Sequence, residues 1–426
     1  MKITFLKLGF LIILLACTVP RKSIHQLQSE AAAEKTAIPH NISKVRTGLD
    51  VLLDSRMDEI EGKSIGLVTN LSGIDHAGQP NFERFLALEN VDLKIIFSPE
   101  HGLFGEAANG EKVEYKGELR SLPPLVSLYG KNRKPDPESL RGLDLIIYDI
   151  QDIGARFYTY ISTLGMVMEA AAEAGIPVLV LDRPNPITGR HVEGPPLNLE
   201  FQSFVGYYPI PIRYGLTVGE MARMISGEKW INEVPALEVI PMRGWNRNLW
   251  YDQTDLLWKK PSPNIPDLIT AIIYPGLCLL EATNISEGRG TRFPFKWIGA
   301  PWIDGKLLAV QLNDLHLPGL VFKPITFVPR EIKGMAFNPK FEGQKCSGVE
   351  IMLIDRNVFK SVYAGLAIIN KIQELYPEQV EIKASGVKRL WGDSEFPREL
   401  NPVTVEKFKT LENEFKKRTL PYLLYD

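Results

Sequence analysis

Short apolar runs that end abruptly in polar residues recur along the first half of the chain. Four of these runs have the length and β-branched content of buried strands, and they cover residues 64–70, 93–97, 144–152 and 177–181. Helix-forming segments lie between them, at 81–88 and at 161–174, the second with Gly175 placed to end it. Strands that alternate with helices predict an α/β protein with a doubly wound, mostly parallel sheet.

The pattern changes in the second half of the chain. Residues 195–266 are rich in proline and aromatic side chains, and they contain one helix whose Thr217 and Glu220 have the spacing of a capping box. The proline-rich run 261–266 is typical of a rigid connector, and we expect a domain boundary there. Beyond it the pattern predicts one strand and two helices, over residues 349–354, 358–375 and 403–416.

The amino terminus has the pattern of a secretion signal. Basic residues precede an apolar stretch, residues 8–16, that is too short to cross a bilayer as a mature helix. It ends in Leu14-Leu15-Ala16-Cys17, which resembles the lipobox of bacterial lipoproteins and makes Cys17 the expected lipidation site. The alternative is an ordinary signal peptide with a chance cysteine. Because Thr18 carries no inner-membrane retention signal, we expect a lipid anchor in the outer membrane that faces the periplasm.

These patterns divide the chain into four parts. We predict a signal peptide with its lipobox over residues 1–17, a flexible tether over 18–45, a catalytic domain over 46–262 and a smaller α+β domain over 263–426. At 426 residues, 45% of them hydrophobic, the chain is long enough for two cores. Its 49 basic and 51 acidic residues leave a formal charge of -2, so we expect no nucleic-acid partner.

The sequence contains no familiar cofactor motif. Neither a Walker A motif nor G-x-G-x-x-G follows the first strand, so we expect no nucleotide cofactor. Ser64 has the flanking glycines of a nucleophile elbow, but it begins a strand instead of ending one, which argues against that mechanism. The histidines of the body are too scattered for a zinc site, and we predict no resident metal, although a carboxylate-bound Mg²⁺ at the strand ends stays open.

The polar residues that follow the four strands carry the candidate chemistry. They are Asn70 after the first strand, Glu100 and His101 after the second, Asp149 and Asp152 after the third, and Asn185 after the fourth. Because the carboxyl ends of parallel strands meet at one edge of a sheet, we expect these side chains to converge on a single carbohydrate-sized pocket.

Glu100 is the leading catalytic candidate, as a general acid beside the apolar Phe97, Leu103 and Phe104. The alternative is a loop carboxylate that caps a backbone amide. His101 either orients Glu100 or forms a local hydrogen bond. One of Asp149 and Asp152 is expected to supply a second charge for glycoside hydrolysis, while the other caps the following turn.

Two further segments contain residue types that bind sugars. Arg156 is able to hold a carboxylate in bidentate fashion and Tyr158 to stack on a sugar, or else Arg156 pairs with Asp149 or Asp152. The polar loop 281–291 is either a purely structural loop or closes the cleft from the second domain. Its candidate binding residues are Glu281, Asn284, Glu287 and Arg289. Cys278, in an apolar setting, is expected to be a buried thiol rather than a nucleophile.

Four stretches together resemble the NamZ-type exo-β-N-acetylmuramidases. They are residues 98–102, 148–160, 182–186 and 281–291, and the resemblance extends over nearly the whole chain from Gly48 onward. It implies a Rossmann-like first domain without a nucleotide site, a smaller second domain and an active cleft between them. It also implies the release of N-acetylmuramic acid from the non-reducing ends of peptidoglycan fragments, with Glu100 as the catalytic glutamate.

This resemblance suggests partners for the substrate's groups. We expect Arg156 or Arg289 to bind the lactyl carboxylate of N-acetylmuramic acid. Its acetamido group is expected to bind Asn70, Asn185 or Asn284. An Asp or the acetamido group itself then assists at the anomeric carbon. Two other classes remain open: a non-catalytic lipoprotein that binds muropeptides, and a metal-dependent hydrolase of another envelope ester or phosphate.

Overall fold

A six-stranded parallel sheet is the larger sheet of the structure, a computed structural model that describes residues 44–105 and 122–426. Its strands are β1 (Ser64–Thr69), β2 (Asp92–Ser98), β3 (Leu125–Ser127), β4 (Leu145–Asp149), β5 (Val178–Leu181) and β6 (Leu237–Ile240). They lie in the order β3-β2-β1-β4-β5-β6, and every neighbouring pair is parallel. The chain therefore reverses its direction of winding between β1 and β4, where α/β sheets form ligand-binding crevices.

Both faces of this sheet are buried, which explains the nearly continuous apolar runs of its strands. Along β4, Leu145 and Ile147 belong to the core on one face, while Ile146 and Tyr148 belong to the core on the other. The same alternation holds along β5. Helices therefore cover the sheet on both sides, as the doubly wound prediction requires.

Nine helices occur in the described residues, and four of them flank the parallel sheet. They are α1 (Gly48–Ser55), α2 (Asn81–Leu86), α3 (Tyr160–Glu173), α4 (Val218–Gly227), α5 (Leu268–Leu277), α6 (Gly305–Asp314), α7 (Ser361–Leu375), α8 (Ala384–Leu390) and α9 (Pro402–Thr419). Apolar residues of α1 and α2 pack on one face of the sheet, and those of α3 and α4 on the other. The predicted capping box is present at the start of α4, where Thr217 and Glu220 bond each other's backbone amides.

A second, smaller domain contains an antiparallel sheet. Its strands β7 (Trp297–Ala300), β8 (Leu320–Phe327) and β9 (Cys346–Leu353) lie in the order β7-β9-β8. The predicted fold class, a doubly wound α/β sheet with a smaller second domain, is confirmed. Cys17, the signal peptide and nearly all of the predicted tether lie outside the described residues. No helix among residues 44–105 and 122–426 is both long enough and apolar enough to span a bilayer.

Candidate active site

A cavity of about 340 Å³ lies at the carboxyl edge of the parallel sheet, and residues of the second domain line it as well. From the first domain come Glu100 and His101 after β2, Tyr129 and Arg133 after β3, and residues 157–160 between β4 and α3. The second domain contributes Tyr274 of α5, Glu281 and Arg289 of the following segment, and Arg389 of α8. Side chains that follow the strands of the parallel sheet and side chains from beyond residue 268 thus line one cavity.

A tight reversal of the backbone presents Glu100 to this cavity. The next two residues, His101 and Gly102, have φ angles of 72° and 74°, and the Gly102 amide donates to the Pro99 carbonyl at 3.0 Å. A left-handed conformation is uncommon for a residue other than glycine, and strained backbone of this kind often occurs at functional sites. The strand therefore stops sharply, and its first two polar side chains line the cavity.

One oxygen of Glu100 is fixed and the other has no protein partner in the described part of the chain. The Thr159 hydroxyl donates to Glu100 Oε2 at 2.9 Å, and the Glu100 side chain is buried, with 8% of the residue exposed. Thr159 is the N-cap residue of α3, yet its side chain makes no capping bond. The Thr159 hydroxyl therefore binds the Glu100 carboxyl group and does not cap a backbone amide of α3.

Aromatic side chains form the remainder of the cavity wall. Tyr274 packs edge-to-face on Phe157 and on Phe295, with ring centroids 5.4 Å and 4.8 Å apart. On the opposite rim the Arg133 guanidinium lies 4.3 Å from the centre of the Phe204 ring. Aromatic faces of this kind are suited to pack on the apolar face of a sugar ring while nearby polar groups bind its hydroxyls.

An ionic cluster from the second domain reaches the cavity at Glu281. Nη2 and Nε of Arg289 donate to Glu281 Oε1 at 2.8 Å and 3.2 Å. Glu287 lies behind Arg289, with its Oε1 3.7 Å from Arg289 Nε and its Oε2 2.9 Å from Lys340 Nζ. The two carboxylates raise the pKa of Arg289 further above its ordinary value, against the effect of burial. Arg289 is therefore permanently charged and already paired.

The two aspartates proposed as catalytic groups do not line the cavity, and this part of the prediction is corrected. Asp149 is fully buried, where Arg183 Nε and Nη2 bind it from one side and Asn81 Nδ2 from the other. Asp152 accepts hydrogen bonds from the Tyr214 hydroxyl and the Gly154 amide. Burial raises the pKa of Asp152 to about 6, and these bonds partly offset that rise.

Arg156 likewise has a structural role and not the predicted role of binding a substrate carboxylate. Its side chain is fully buried, and its two terminal nitrogens donate to four backbone carbonyls. These belong to Pro195, Ile210, Leu390 and Trp391, at 2.6–2.9 Å. Burial lowers the pKa of Arg156 to about 9. The alternative, a pairing of Arg156 with Asp149 or Asp152, is also absent from the described contacts.

The three asparagines predicted to bind the acetamido group form hydrogen bonds within the protein instead. Asn70 donates to the Tyr160 hydroxyl at 2.8 Å, and Asn185 donates to the Leu216 carbonyl at 2.9 Å. Asn284 exchanges hydrogen bonds with residues 379 and 381. None of the three lines the cavity. The other polar residues at the strand ends therefore bond to protein groups, and only Glu100 and His101 among the six candidates line the cavity.

The two described cysteines are buried thiols. Cys278 and Cys346 are both free, and burial raises the pKa of each thiol above its ordinary value. Cys278 lines the cavity, but as a buried thiol in the protonated form it is a poor nucleophile. Within the described ranges no three His, Cys, Asp or Glu side chains are grouped so that they would hold a metal ion.

Comparison with known proteins gives the family. A model of the N-terminal domain of the exo-beta-N-acetylmuramidase NamZ matches residues 65–269, and a model of its C-terminal domain matches residues 272–425. The chain belongs to the NamZ family. It is 42% identical over 391 residues to the peptidoglycan beta-N-acetylmuramidase NamZ of Bacillus subtilis, an alignment that covers 90% of this chain and 92% of that protein.

Solved structures of the DUF1343 family share the fold. Two proteins from Bacteroides fragilis match with TM-scores of 0.81 and 0.72, at 34% and 30% identity. Each match covers 90% of this chain and 99% of the other. The motifs by which the sequence resembles the NamZ family lie on both sides of the cavity, since Glu100, residues 157–160 and the 281–291 loop all contribute to its wall.

Several residues of the cavity wall carried no recognisable pattern in the sequence. Tyr129, Arg133, Phe204 and Arg389 belong to short loops or to a short helix without a motif. Thr159 lies inside a NamZ-family motif, between Tyr158 and Tyr160. Its position one residue before α3 is the only signal that could have pointed to it.

Proposed function

We propose that this chain is an exo-β-N-acetylmuramidase that releases N-acetylmuramic acid from the non-reducing ends of peptidoglycan fragments during cell-wall turnover. The single observation that carries the proposal is Glu100, a buried carboxyl group in a cavity lined by aromatic rings and arginines, with one oxygen that has no partner among the described residues. The 42% identity to the B. subtilis peptidoglycan beta-N-acetylmuramidase supports it.

In this reaction Glu100 is the general acid. Thr159 holds Oε2, so the other oxygen is the one that delivers a proton to the glycosidic oxygen as the bond to the anomeric carbon breaks. The apolar rings around the cavity exclude water and keep the sugar ring in a fixed orientation. His101 is proposed to orient the leaving group or Glu100 itself, since it lines the same cavity.

Two arginines are the best candidates to bind the lactyl carboxylate. Of the three arginines that line the cavity, Arg289 is paired with Glu281 and Glu287, whereas Arg133 and Arg389 have no carboxylate partner among the described residues. The Arg133 guanidinium stacks on the Phe204 ring, and this contact limits the rotamers of Arg133 and orients it to bind an anion. We therefore assign this role to Arg133 and Arg389 in place of Arg156.

The Glu100→Gln variant tests the function. The carboxamide oxygen of this variant still accepts a hydrogen bond from the Thr159 hydroxyl, so the fold is preserved. The carboxamide has no acidic proton to donate to the leaving group. We expect kcat for an aryl β-N-acetylmuramide with a poor leaving group to fall by about 10²–10⁴-fold. Glu89→Gln, at an exposed position, serves as the matched control. A Glu100→Gln enzyme with more than about a tenth of the wild-type kcat would contradict the assignment, given the size of such effects.

We further propose that the protein is anchored through lipid on Cys17 and faces the periplasm. Support for this comes from the sequence Leu14-Leu15-Ala16-Cys17 that follows a short apolar stretch. Metabolic labelling of cells with an alkyne fatty acid should tag the wild-type chain and leave Cys17→Ser untagged. Equal labelling of the two chains would refute the lipid anchor without any bearing on the enzymatic activity.

A further inference from the structure

Glycoside hydrolysis ordinarily uses two carboxyl groups, and the cavity wall has two among the described residues. One is Glu100, and the other is Glu281, which lies in the 3-10 turn Cys278–Ala282 after α5. They come from different domains and from strand and helix ends that are distant in sequence. Asp149 and Asp152, the residues that the sequence suggested for the second charge, do not line the cavity, and Asp149 is bound by Arg183 and Asn81.

Glu281 is held by one oxygen. Both Arg289 nitrogens donate to its Oε1, whereas its Oε2 accepts no hydrogen bond from the described residues. The Glu281 side chain is 19% exposed and that of Arg289 17% exposed, so the pair borders the cavity instead of being sealed in the core. Two hydrogen bonds from one guanidinium fix the orientation of the Glu281 carboxyl group.

A second line of charges supports this pair from behind. Glu287 lies between Arg289 and Lys340, and Lys340 Nζ also donates to the carbonyls of Leu280 and Ile285 at 2.9 Å and 3.0 Å. The Arg289 guanidinium in addition lies 5.1 Å from the centre of the Phe295 ring. Lys340 thus fixes the backbone on both sides of residue 281.

We infer that Glu281 is the catalytic nucleophile of the reaction, an assignment that rests on the proposed muramidase function. Glu281 Oε2 donates an electron pair to the anomeric carbon and forms an ester bond, while the bond to the leaving oxygen breaks and Glu100 protonates that oxygen. Water then attacks the same carbon and gives its proton to the Glu100 carboxylate, and the ester bond breaks to regenerate Glu281. The two Arg289 bonds hold Glu281 Oε1, which leaves Oε2 as the oxygen that attacks.

The experiment is azide rescue of Glu281→Ala on a 2,4-dinitrophenyl β-N-acetylmuramide, whose leaving group needs no acid. We expect the variant to lose about 10³-fold or more of the wild-type kcat, as removal of a nucleophile does. Sodium azide should restore turnover and yield the α-glycosyl azide, because azide occupies the space that the carboxylate vacates. The first sugar product of the wild-type enzyme should be the β-anomer by NMR.

Glu287→Ala is the matched control, since Glu287 contacts the same arginine but does not line the cavity. It should lower the rate without forming any glycosyl azide, as a positioning residue would. Circular dichroism of both variants, and of Glu281→Gln, which keeps an oxygen for Arg289, separates misfolding from loss of chemistry.

Three results would overturn the nucleophile assignment alone: no azide product from Glu281→Ala, a β-azide that indicates attack on an intermediate formed by the acetamido group, or an α-anomer as the first wild-type product. A folded wild-type chain that binds N-acetylmuramic acid but never cleaves the aryl muramide would overturn the proposed function itself, and the nucleophile assignment with it.

Discussion

We expect single residues at the cavity wall to determine which sugar is accepted. N-acetylmuramic acid differs from N-acetylglucosamine by its lactyl ether, so selectivity requires a group that recognises a carboxylate. Arg133 and Arg389 approach the cavity from the two domains, and neither is neutralised by a described carboxylate. An arginine without an acidic partner in a cavity favours an anionic ligand, because its charge then gains a partner on binding.

We predict that Arg133→Gln and Arg389→Gln each lower kcat/KM for an aryl β-N-acetylmuramide by about 10–100-fold, the value of one charged hydrogen bond. For a substrate whose lactyl group is a methyl ester, kcat/KM of both variants should be close to that of the wild-type enzyme, because the ester carries no charge for an arginine to bind. Lys388→Gln is the control, since Lys388 precedes Arg389 in the same helix but lies over the Phe201 ring. An equal loss on acid and ester would show that the arginines shape the rim without reading the carboxylate.

Arg156 illustrates why side-chain roles were harder to predict than motifs. It lies inside a family motif, but its four carbonyl acceptors lie 39 to 235 positions away in the sequence. No local pattern indicates that carbonyls from two domains will surround one guanidinium. Glu100 was predictable because its position depends on only one strand and the turn that ends it.

At the scale of whole elements, burial decided which strands could be recognised. β1, β2, β4 and β5 are apolar on both faces, and the sequence predicted each of them. β3 and β6 are the edge strands, and they were missed. β3 has only three residues, all half-buried, and β6 alternates between partly exposed and exposed positions before Ile240. An edge strand buries less apolar surface, so its sequence resembles that of a loop.

The contact between α5 and α7 supports the cavity from outside. A Cβ atom on Gly365 would lie 2.3 Å from the Gly276 carbonyl oxygen, and one on Gly276 would lie 1.8 Å from the Ser361 carbonyl oxygen. Ser361 also bridges the helices, since its hydroxyl accepts from the Gly276 amide and donates to the Ile273 carbonyl. α5 carries Tyr274 and leads directly into Glu281, so this close approach helps to set the position of the cavity wall.

We predict that Gly365→Ala forces the two helices apart and lowers the free energy of unfolding by about 1–3 kcal/mol, the usual cost of overpacking. It should also reduce kcat, although residue 365 does not line the cavity, because Tyr274 and Glu281 move with α5. Denaturant unfolding and turnover of the aryl muramide measure the two effects. Ala367→Gly, the reverse change in the same helix, should cost about 1 kcal/mol or less from helix propensity and leave kcat unchanged. Wild-type stability in Gly365→Ala would show that the helices repack freely.

At the scale of the molecule, buried polar contacts hold the second domain against the first. The Arg213–Glu193 ion pair is fully buried, and Glu193 also accepts the Val362 amide at the start of α7. The carboxyl-terminal segment returns to the parallel sheet, where Tyr425 donates to Asp182 Oδ2 at 2.6 Å. Asp182 follows β5 and also accepts hydrogen bonds from Thr217 and the Gly219 amide. Burial, aided by nearby Glu220, raises the pKa of Asp182 to about 7.

This raised pKa predicts how stability depends on pH. An unfolded aspartate has a pKa of about 3.9, so between about pH 4 and pH 7 the folded protein holds a proton on Asp182 that the unfolded chain has lost. The stabilisation is complete below the unfolded pKa and is lost as the pH rises through about 7, the pKa of the folded state. Asp152, whose pKa of about 6 is also raised by burial, acts in the same direction.

We predict that the urea midpoint of Asp182→Asn falls less between pH 5 and pH 8 than that of the wild type. Some dependence of the midpoint on pH remains, because Asp152 still contributes. The exposed Asp58→Asn should keep the full wild-type slope. If Asp182→Asn kept it too, Asp182 would be ionised throughout this range, and its contact with Tyr425 would be a charged hydrogen bond.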